Sequence, residues 1–367
     1  MPRPSGLALA LLCGCGSPAT TSGFGPGGPG GGEDADTSTG AAGSSTSSSS
    51  TGAAEASTTS GSGEGSAAHD DSSAGTTMPD FGEITGCQGK IDFLFVISND
   101  TTMKPVAAKL KAALPAFIKT IRESFAQFDN HIMVVDTDQP YWGSSKCQSC
   151  VETCDYGPPE YPCSADLEKD AIKECDHVVG AGVTFPAGWD TANERCKVFG
   201  DNRYMIRDDP TPDETFQCLA GVGHDGAGYG ATMVQAIAAL APEINAPGGC
   251  NAGFLRPEAL LVLVLIRDTY EPKGGPPQTW VDAILAAKGG NPDAVVTLGI
   301  TTDWGFEKSL CFPGKWPPPE GNTDLLREFV GLMTHGLVGS ICAESWAPFF
   351  DEAAELVLEQ CDLLIPQ

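Results

Sequence analysis

The sequence is poor in basic residues and has no long apolar segment. Of its 367 residues, 21 are Lys or Arg and 48 are Asp or Glu, which gives a formal net charge of −27. Nucleic acids and anionic lipid surfaces are bound through clustered Lys and Arg, so this balance argues against both as direct partners. The longest unbroken apolar run, residues 259–266, is far shorter than the roughly 18 residues that span a bilayer, so we expect no membrane-spanning helix.

Signatures of enzymes are also scarce. The sequence contains no Gly-x-Ser-x-Gly elbow, no His-Glu-x-x-His motif and no P-loop, and its five His residues are scattered. Residues 226–231 fit the Gly-x-Gly-x-x-Ala dinucleotide fingerprint, but the buried strand that must precede this motif is missing. We therefore expect a protein that is not an enzyme, with an exported hydrolase as the weaker alternative.

The N-terminus has the pattern of an exported, anchored protein. Arg3, the apolar residues 7–12 and small residues up to Cys15 are typical of a secretory signal, with an ordinary cleaved signal peptide as the alternative to lipidation. Residues 12–15 resemble the lipobox of bacterial lipoproteins, in which the last Cys, here Cys15, carries the lipid. Residues 16–86 are rich in Gly, Ser and Thr and cannot bury enough apolar surface to fold, so they predict a disordered tether. We expect a lipoprotein of the outer membrane or cell surface that contacts the membrane only through its lipid anchor.

The cysteines support export. Of the 14 Cys, 12 remain after Cys13 and Cys15 are set aside, and an even number in an exported chain predicts disulfides. Their pairing cannot be read from the sequence. A zinc site is the minority alternative for one cluster of possible ligands. This cluster consists of Cys147, Cys150, Cys154, Cys163, Cys175 and His177.

Hydrophobic patterning predicts an α/β fold for residues 87–367. Short apolar runs alternate with segments of helical periodicity, which is typical of a doubly wound, mainly parallel sheet flanked by helices. The predicted strands are 91–97, 131–136, 259–266, 294–300 and 339–342, and the predicted helices are 106–125, 231–240, 280–288, 323–334 and 347–364. Residues from about 139 to 228 interrupt this alternation and predict a disulfide-rich insertion.

Oxygen-bearing side chains follow the predicted strands at positions where ligands bind such sheets. Ser98, Asp100 and Thr102 come after the first strand, Thr232 opens a helix, and Asp268 follows the long apolar strand. The carboxyl ends of parallel strands meet at one edge, so these side chains are expected to converge. Hard oxygen ligands without His or Cys suit Mg²⁺ or Ca²⁺, and the five residues therefore predict a divalent-cation site.

These motifs resemble the metal-ion-dependent adhesion site of the von Willebrand factor A (VWA) family. That family carries Asp-x-Ser-x-Ser after its first strand, a Gly-x-Thr loop and an Asp after its fourth strand. Residues 230–232 match the Thr loop and Asp268 matches the Asp. The first motif departs from the pattern, because Ser98 stands in the Asp position while Asp100 and Thr102 stand in the two Ser positions. The exchange keeps the number of carboxylates and hydroxyls but moves a carboxylate into a directly coordinating position.

The resemblance covers residues 87–367 apart from the insertion, and residues 251–262 and 338–342 are similar to uncharacterised bacterial VWA lipoproteins. It implies a VWA/Rossmann-like fold and a surface-anchored module that binds a protein or glycan, with an acidic group of the ligand completing the coordination of the metal. Two alternatives remain open at this stage. One is a decayed site on a VWA scaffold, and the other is a metal-independent structural or assembly component of the cell envelope.

Overall fold

The computed structural model describes residues 87–137, 173–186, 190–192, 194–224, 231–269, 271, 275–304, 308–311, 313 and 324–364. The predicted signal peptide at 1–15 with Cys15, and the predicted tether at 16–86, lie outside these residues. So do Cys147, Cys150, Cys154 and Cys163 of the zinc alternative. Among the helices that the structure describes, none combines the length and the apolar character needed to cross a membrane.

In the part of the chain that the structure describes, six strands form one sheet in the order β3-β2-β1-β4-β5-β6. All neighbouring strands run parallel except β3, which pairs antiparallel with β2 at the edge. The central strand β4 is apolar and buried at every position, as expected for a parallel strand that is covered on both faces. The strands are β1 (Lys90–Ile97), β2 (Asp129–Asp136), β3 (Met205–Ile206), β4 (Leu260–Ile266), β5 (Val295–Thr301) and β6 (Gly336–Ser340).

Helices cover both faces of this sheet. The helices are α1 (Lys104–Ser124), α2 (Pro212–Ala220), α3 (Thr232–Ala239), α4 (Pro242–Asn245), α5 (Pro277–Ala286), α6 (Leu325–Leu332) and α7 (Ala347–Leu363). Side chains alternate between the two faces along each strand, so Phe95 belongs to the core cluster that includes α1, α2 and α7, whereas Val96 belongs to the cluster that includes α3, α5 and α6. The predicted α/β architecture, a mainly parallel sheet between helical layers, is confirmed at this level.

One predicted strand is displaced in the structure. The sequence predicted a strand at 339–342, but β6 occupies Gly336–Ser340. The chain turns from α6 into β6 with almost no connection, and Gly336 lies so close to Val330 that an added Cβ would be 2.1 Å from the Val330 carbonyl oxygen. A close backbone approach of this kind has no counterpart in the hydrophobic pattern of the sequence, so the start of β6 could not be predicted. Ile341, the apolar residue on which the predicted strand was based, is buried just beyond the end of β6.

Part of the predicted insertion belongs to the main sheet and core. Both β3 and α2 fall within residues 139–228, and neither was anticipated from the sequence. Phe216 of α2 is fully buried and packs against Phe95 and Phe117, with ring centroids 5.4 and 5.9 Å apart. Because α2 ends at Ala220, a helix lies upstream of residues 226–231, where the dinucleotide fingerprint requires a buried strand directly before it.

Four disulfides within the described residues confirm the interpretation of the cysteines as disulfide-forming. They join Cys87 to Cys361, Cys175 to Cys250, Cys196 to Cys218 and Cys311 to Cys342. The bond to Cys250 occupies the thiol of Cys175, which removes this residue from the zinc alternative.

Candidate functional site

The site lies at the carboxyl edge of the sheet, where β1 and β4 end side by side. Ile97 and Ile266 are partners in the parallel ladder, so the residues that follow them leave the sheet together. The Ser98 amide donates to the Ile266 carbonyl at 2.9 Å. The Arg267 amide donates to the Ile300 carbonyl of β5 at 3.1 Å, which fixes the start of the next loop.

The five predicted site residues come together around a side chain that was not predicted. Arg267 donates through Nη2 to Asp100 Oδ2 at 2.8 Å and through Nη1 to Thr232 Oγ1 at 3.3 Å. Thr102 Oγ1 donates to Asp268 Oδ1 at 2.9 Å. The rim network, as we call it, consists of Ser98, Asp100, Thr102, Thr232, Arg267, Asp268 and Glu271.

Two buried residues support the network from beneath. Ser98 is fully buried, and its Oγ accepts a hydrogen bond from the Asp100 amide at 3.4 Å. Thr232 is also fully buried, and its amide donates to Glu271 Oε2 at 3.0 Å. Because Thr232 is the first residue of α3, the Glu271 carboxylate lies at a helix N-terminus, where negative charge is favourable.

Burial makes the charges of the network interdependent. The Arg267 side chain is 2% exposed and the Asp100 side chain 18% exposed, so the pair is largely removed from solvent. A buried guanidinium is costly unless a carboxylate compensates it. Burial also raises the pKa of Asp268, with the Asp100 charge acting in the same direction, while the Thr102 hydrogen bond and the Arg267 charge oppose the shift.

This arrangement does not fit a Mg²⁺ or Ca²⁺ ion. Arg267 bonds to one oxygen from each of two predicted ligands, Asp100 and Thr232, so an added dication would lie against the guanidinium. Nowhere in the described part of the chain do three or more His, Cys, Asp or Glu residues form a group that could hold a metal. The assignment of Ser98, Asp100, Thr102, Thr232 and Asp268 as metal ligands stays a prediction, and the geometry of the rim network gives it no support.

The residues that sequence reasoning missed are Arg267 and Glu271. A signal for Arg267 was present, because this basic residue directly precedes Asp268 at the end of an otherwise apolar strand. A positively charged side chain next to a predicted cation site would repel the cation, so it favours an ion pair with the neighbouring carboxylates instead. Glu271 lies 39 positions from Thr232 in the sequence, and only the fold brings its carboxylate to the start of α3.

A second cluster of charged residues, which are half-buried, lies beside the Cys175–Cys250 disulfide. The Asp176 carboxylate accepts from Arg195 Nη2 at 2.5 Å and from Arg203 Nη2 at 2.7 Å, and its side chain is 4% exposed. Burial alone would raise the pKa of Asp176, but the hydrogen bonds and charges of the two arginines outweigh it and hold the pKa below its usual value. The cluster joins segments around the disulfide, and the Asp136 charge, in addition to Asp176, favours the charged form of Arg203.

No protein-family model matches this chain, and no curated protein matches it at a significant level.

Proposed function

We propose that this chain is a VWA-like binding module of the cell envelope, which engages a protein or glycan at the rim network without a divalent cation. The α/β sheet, with loops from β1, α3 and β4 meeting at one edge, supports the VWA-like assignment. The observation that carries the proposal is the Arg267 guanidinium, which bonds to Asp100 and Thr232 where a ligand-binding cation would otherwise sit.

The surface of the rim is suited to polar recognition. Thr101 and Thr102 are exposed, and Asp268 and Thr269 are half-buried beside them. These side chains present hydroxyl and carboxylate groups on loops that a rigid sheet holds in place. Such groups hydrogen-bond to protein backbone or to sugar hydroxyls, which is the chemistry of the proposed ligands.

The place of the protein in the cell belongs to the same proposal. The sequence supports export, a lipid on Cys15 and a disordered tether over residues 16–86, which together would hold the module at the outer membrane or cell surface. Incorporation of labelled palmitate that persists in Cys13→Ser but is lost in Cys15→Ser tests the anchor. Equal labelling of Cys15→Ser and the wild type would contradict the proposal that Cys15 carries the lipid.

The binding proposal is tested with the full chain on arrays of glycans and of envelope proteins, with Mg²⁺ and with EDTA. We expect binding that is equal in both conditions and about 10–100-fold weaker in Asp268→Ala, because a hydrogen bond to a charged group contributes about 1.5–3 kcal/mol. Glu359→Ala, which removes an exposed carboxylate near the end of α7, is the matched control and keeps full binding. Binding that disappears in EDTA would contradict the metal-independent mode.

The second candidate is a structural or assembly component of the envelope. It is favoured by the internal hydrogen bonding of the rim network, in which Arg267 donates to both Asp100 and Thr232. Under this alternative, Asp268→Ala changes the free energy of unfolding. The variant and the wild type then bind equally to every immobilised glycan and protein.

A further inference from the structure

A cavity of about 320 Å³ lies beside the Cys175–Cys250 disulfide, and its lining includes none of the residues of the rim network. Cys196, which is bonded to Cys218, also lines the cavity, so two disulfides fix its walls. Small-molecule sites begin at about 300 Å³, whereas one water takes only about 30 Å³. The cavity is therefore large enough for a small organic ligand.

Two half-buried arginines of the cavity wall share one carboxylate. Asp176 accepts from Arg195 Nη2 at 2.5 Å and from Arg203 Nη2 at 2.7 Å. It also accepts from the Lys173 amide at 2.8 Å and from the Thr184 hydroxyl at 3.4 Å. A carboxylate has about four acceptor positions, so these bonds leave Asp176 little capacity for further donors.

Arg203 has donors that this carboxylate does not take. Its Nε donates to the Gly182 carbonyl at 2.7 Å and its Nη2 donates to Asp176. In the part of the chain that the structure describes, no acceptor bonds to Arg203 Nη1, although the side chain is only 12% exposed. Burial lowers the pKa of Arg203 and the Arg195 charge acts in the same direction, while the charges of Asp176 and Asp136 oppose the shift. A carboxylate bonded to Nη1 would satisfy these donors and further compensate a charge that is mostly out of water.

The mouth of the cavity is polar and includes a strained turn. Lys173, Glu174 and Asp201 are exposed lining residues, and Asn202 is half-buried beside them. Asp201 has a φ of 58°, in the left-handed region that residues other than glycine seldom adopt, and such residues cluster at sites that hold ligands. Phe199 begins the same turn, and its ring is 49% exposed. Carboxylate and amide groups next to an exposed ring suit the hydroxyls and the apolar face of a sugar.

We infer that this cavity binds an acidic sugar, whose carboxylate lies against Arg203 and Arg195 and whose ring lies beside Phe199. A planar guanidinium matches a carboxylate through paired N–H donors. A neutral sugar would leave Arg203 Nη1 without an anionic partner, and a simple carboxylate would leave most of the cavity to water. The site shares no residue with the rim network, so it goes beyond the proposed function and does not depend on it.

The test is calorimetric titration of the full chain with galacturonate, and with galactose and acetate as the two parts of its chemistry. We expect saturable binding of galacturonate that is at least about tenfold tighter than that of galactose or acetate. Both the free sugar acid and the end of an acidic polysaccharide carry this chemistry, and tighter binding of oligogalacturonate than of the monomer identifies the polysaccharide. Galactose or acetate that binds as tightly as galacturonate, or galacturonate without saturable binding at millimolar concentration, overturns the inference.

Variants locate the sugar in the cavity. Arg203→Lys keeps the positive charge but loses the fork of donors, and should weaken galacturonate binding about tenfold. Arg122→Lys is the matched control, because this exposed arginine pairs with Asp213 at 3.0 Å and does not line the cavity. If Arg203→Lys does not fold, Phe199→Ala decides, since a loss of about threefold or more supports the site and unchanged binding overturns it. Binding of galacturonate that depends on Asp268 and not on Arg203 would place the sugar at the rim network and also overturn the inference.

Discussion

Asp92 is a carboxylate that the fold buries completely at the amino edge of the sheet, opposite the rim network. It accepts hydrogen bonds from Arg256 N and Nε, both at 2.8 Å, and lies 3.7 Å from His131 Nδ1. Burial raises the pKa of Asp92 to about 6, although Arg256 and the more distant Lys288 favour its charged form. Carboxylates at both edges of the sheet are therefore paired with an arginine whose side chain is at most 12% exposed, and the pairing affects how stability depends on pH.

The first prediction concerns the titration of Asp92. Its folded pKa of about 6 lies above the usual Asp value of 3.8, so the folded state holds this proton more tightly, and the contribution to stability falls as pH rises between these values. From pH 4 to pH 7, the wild type should lose roughly 2–2.5 kcal/mol of unfolding free energy relative to Asp92→Asn. Urea unfolding of both proteins across this range measures the difference, and a difference that does not change with pH would contradict the assignment.

At the scale of elements, most strands and helices follow from the periodicity of the sequence. The apolar run that became β4 and the helical spacing of α1 predicted their elements to within a few residues. The elements that were missed, α2, α4 and β3, are short and lie near cysteines and prolines, where tertiary packing decides the structure. Because the carboxyl ends of parallel strands meet at one edge of the sheet, the sequence predicted that the site residues lie near one another. The direction of the Arg267 side chain depends on tertiary contacts, which the spacing of residues in the sequence does not encode.

The second prediction concerns α2, which the sequence placed within an insertion. Because Phe216 is fully buried between Phe95 and Phe117, Phe216→Ala should reduce the unfolding free energy by about 3–5 kcal/mol. Phe199→Ala is the matched control, since this ring is 49% exposed and its removal should cost much less. Equal effects of the two variants in urea unfolding would show that α2 does not belong to the main core.

At the scale of the whole molecule, the disulfides differ greatly in the length of chain that they close. Cys87 and Cys361 are 274 positions apart and join the start of the described domain to its last helix. Cys311 and Cys342 are 31 positions apart and join the loop after β5 to the segment after β6. A cross-link that closes a longer loop removes more conformational entropy from the unfolded chain.

The third prediction follows from this difference in loop length. Replacing both Cys87 and Cys361 with Ser should destabilise the protein by about 2 kcal/mol more than replacing both Cys311 and Cys342 with Ser. The comparison is made by urea unfolding of the two double variants under oxidising conditions. If the variant without the Cys311–Cys342 bond loses more unfolding free energy, local packing, and not the length of the closed loop, determines how much these disulfides stabilise the protein.

The Cys87–Cys361 bond also determines how the domain responds to a mechanical pull. Cys87 precedes β1 at the amino edge, and its amide additionally donates to the Leu364 carbonyl at 3.3 Å. Tension applied to the chain ahead of Cys87 would pass through the sulfur bridge into the end of α7 as well as into β1. Strand β1 is then harder to peel from the sheet, because the bridge shares the force with the end of α7.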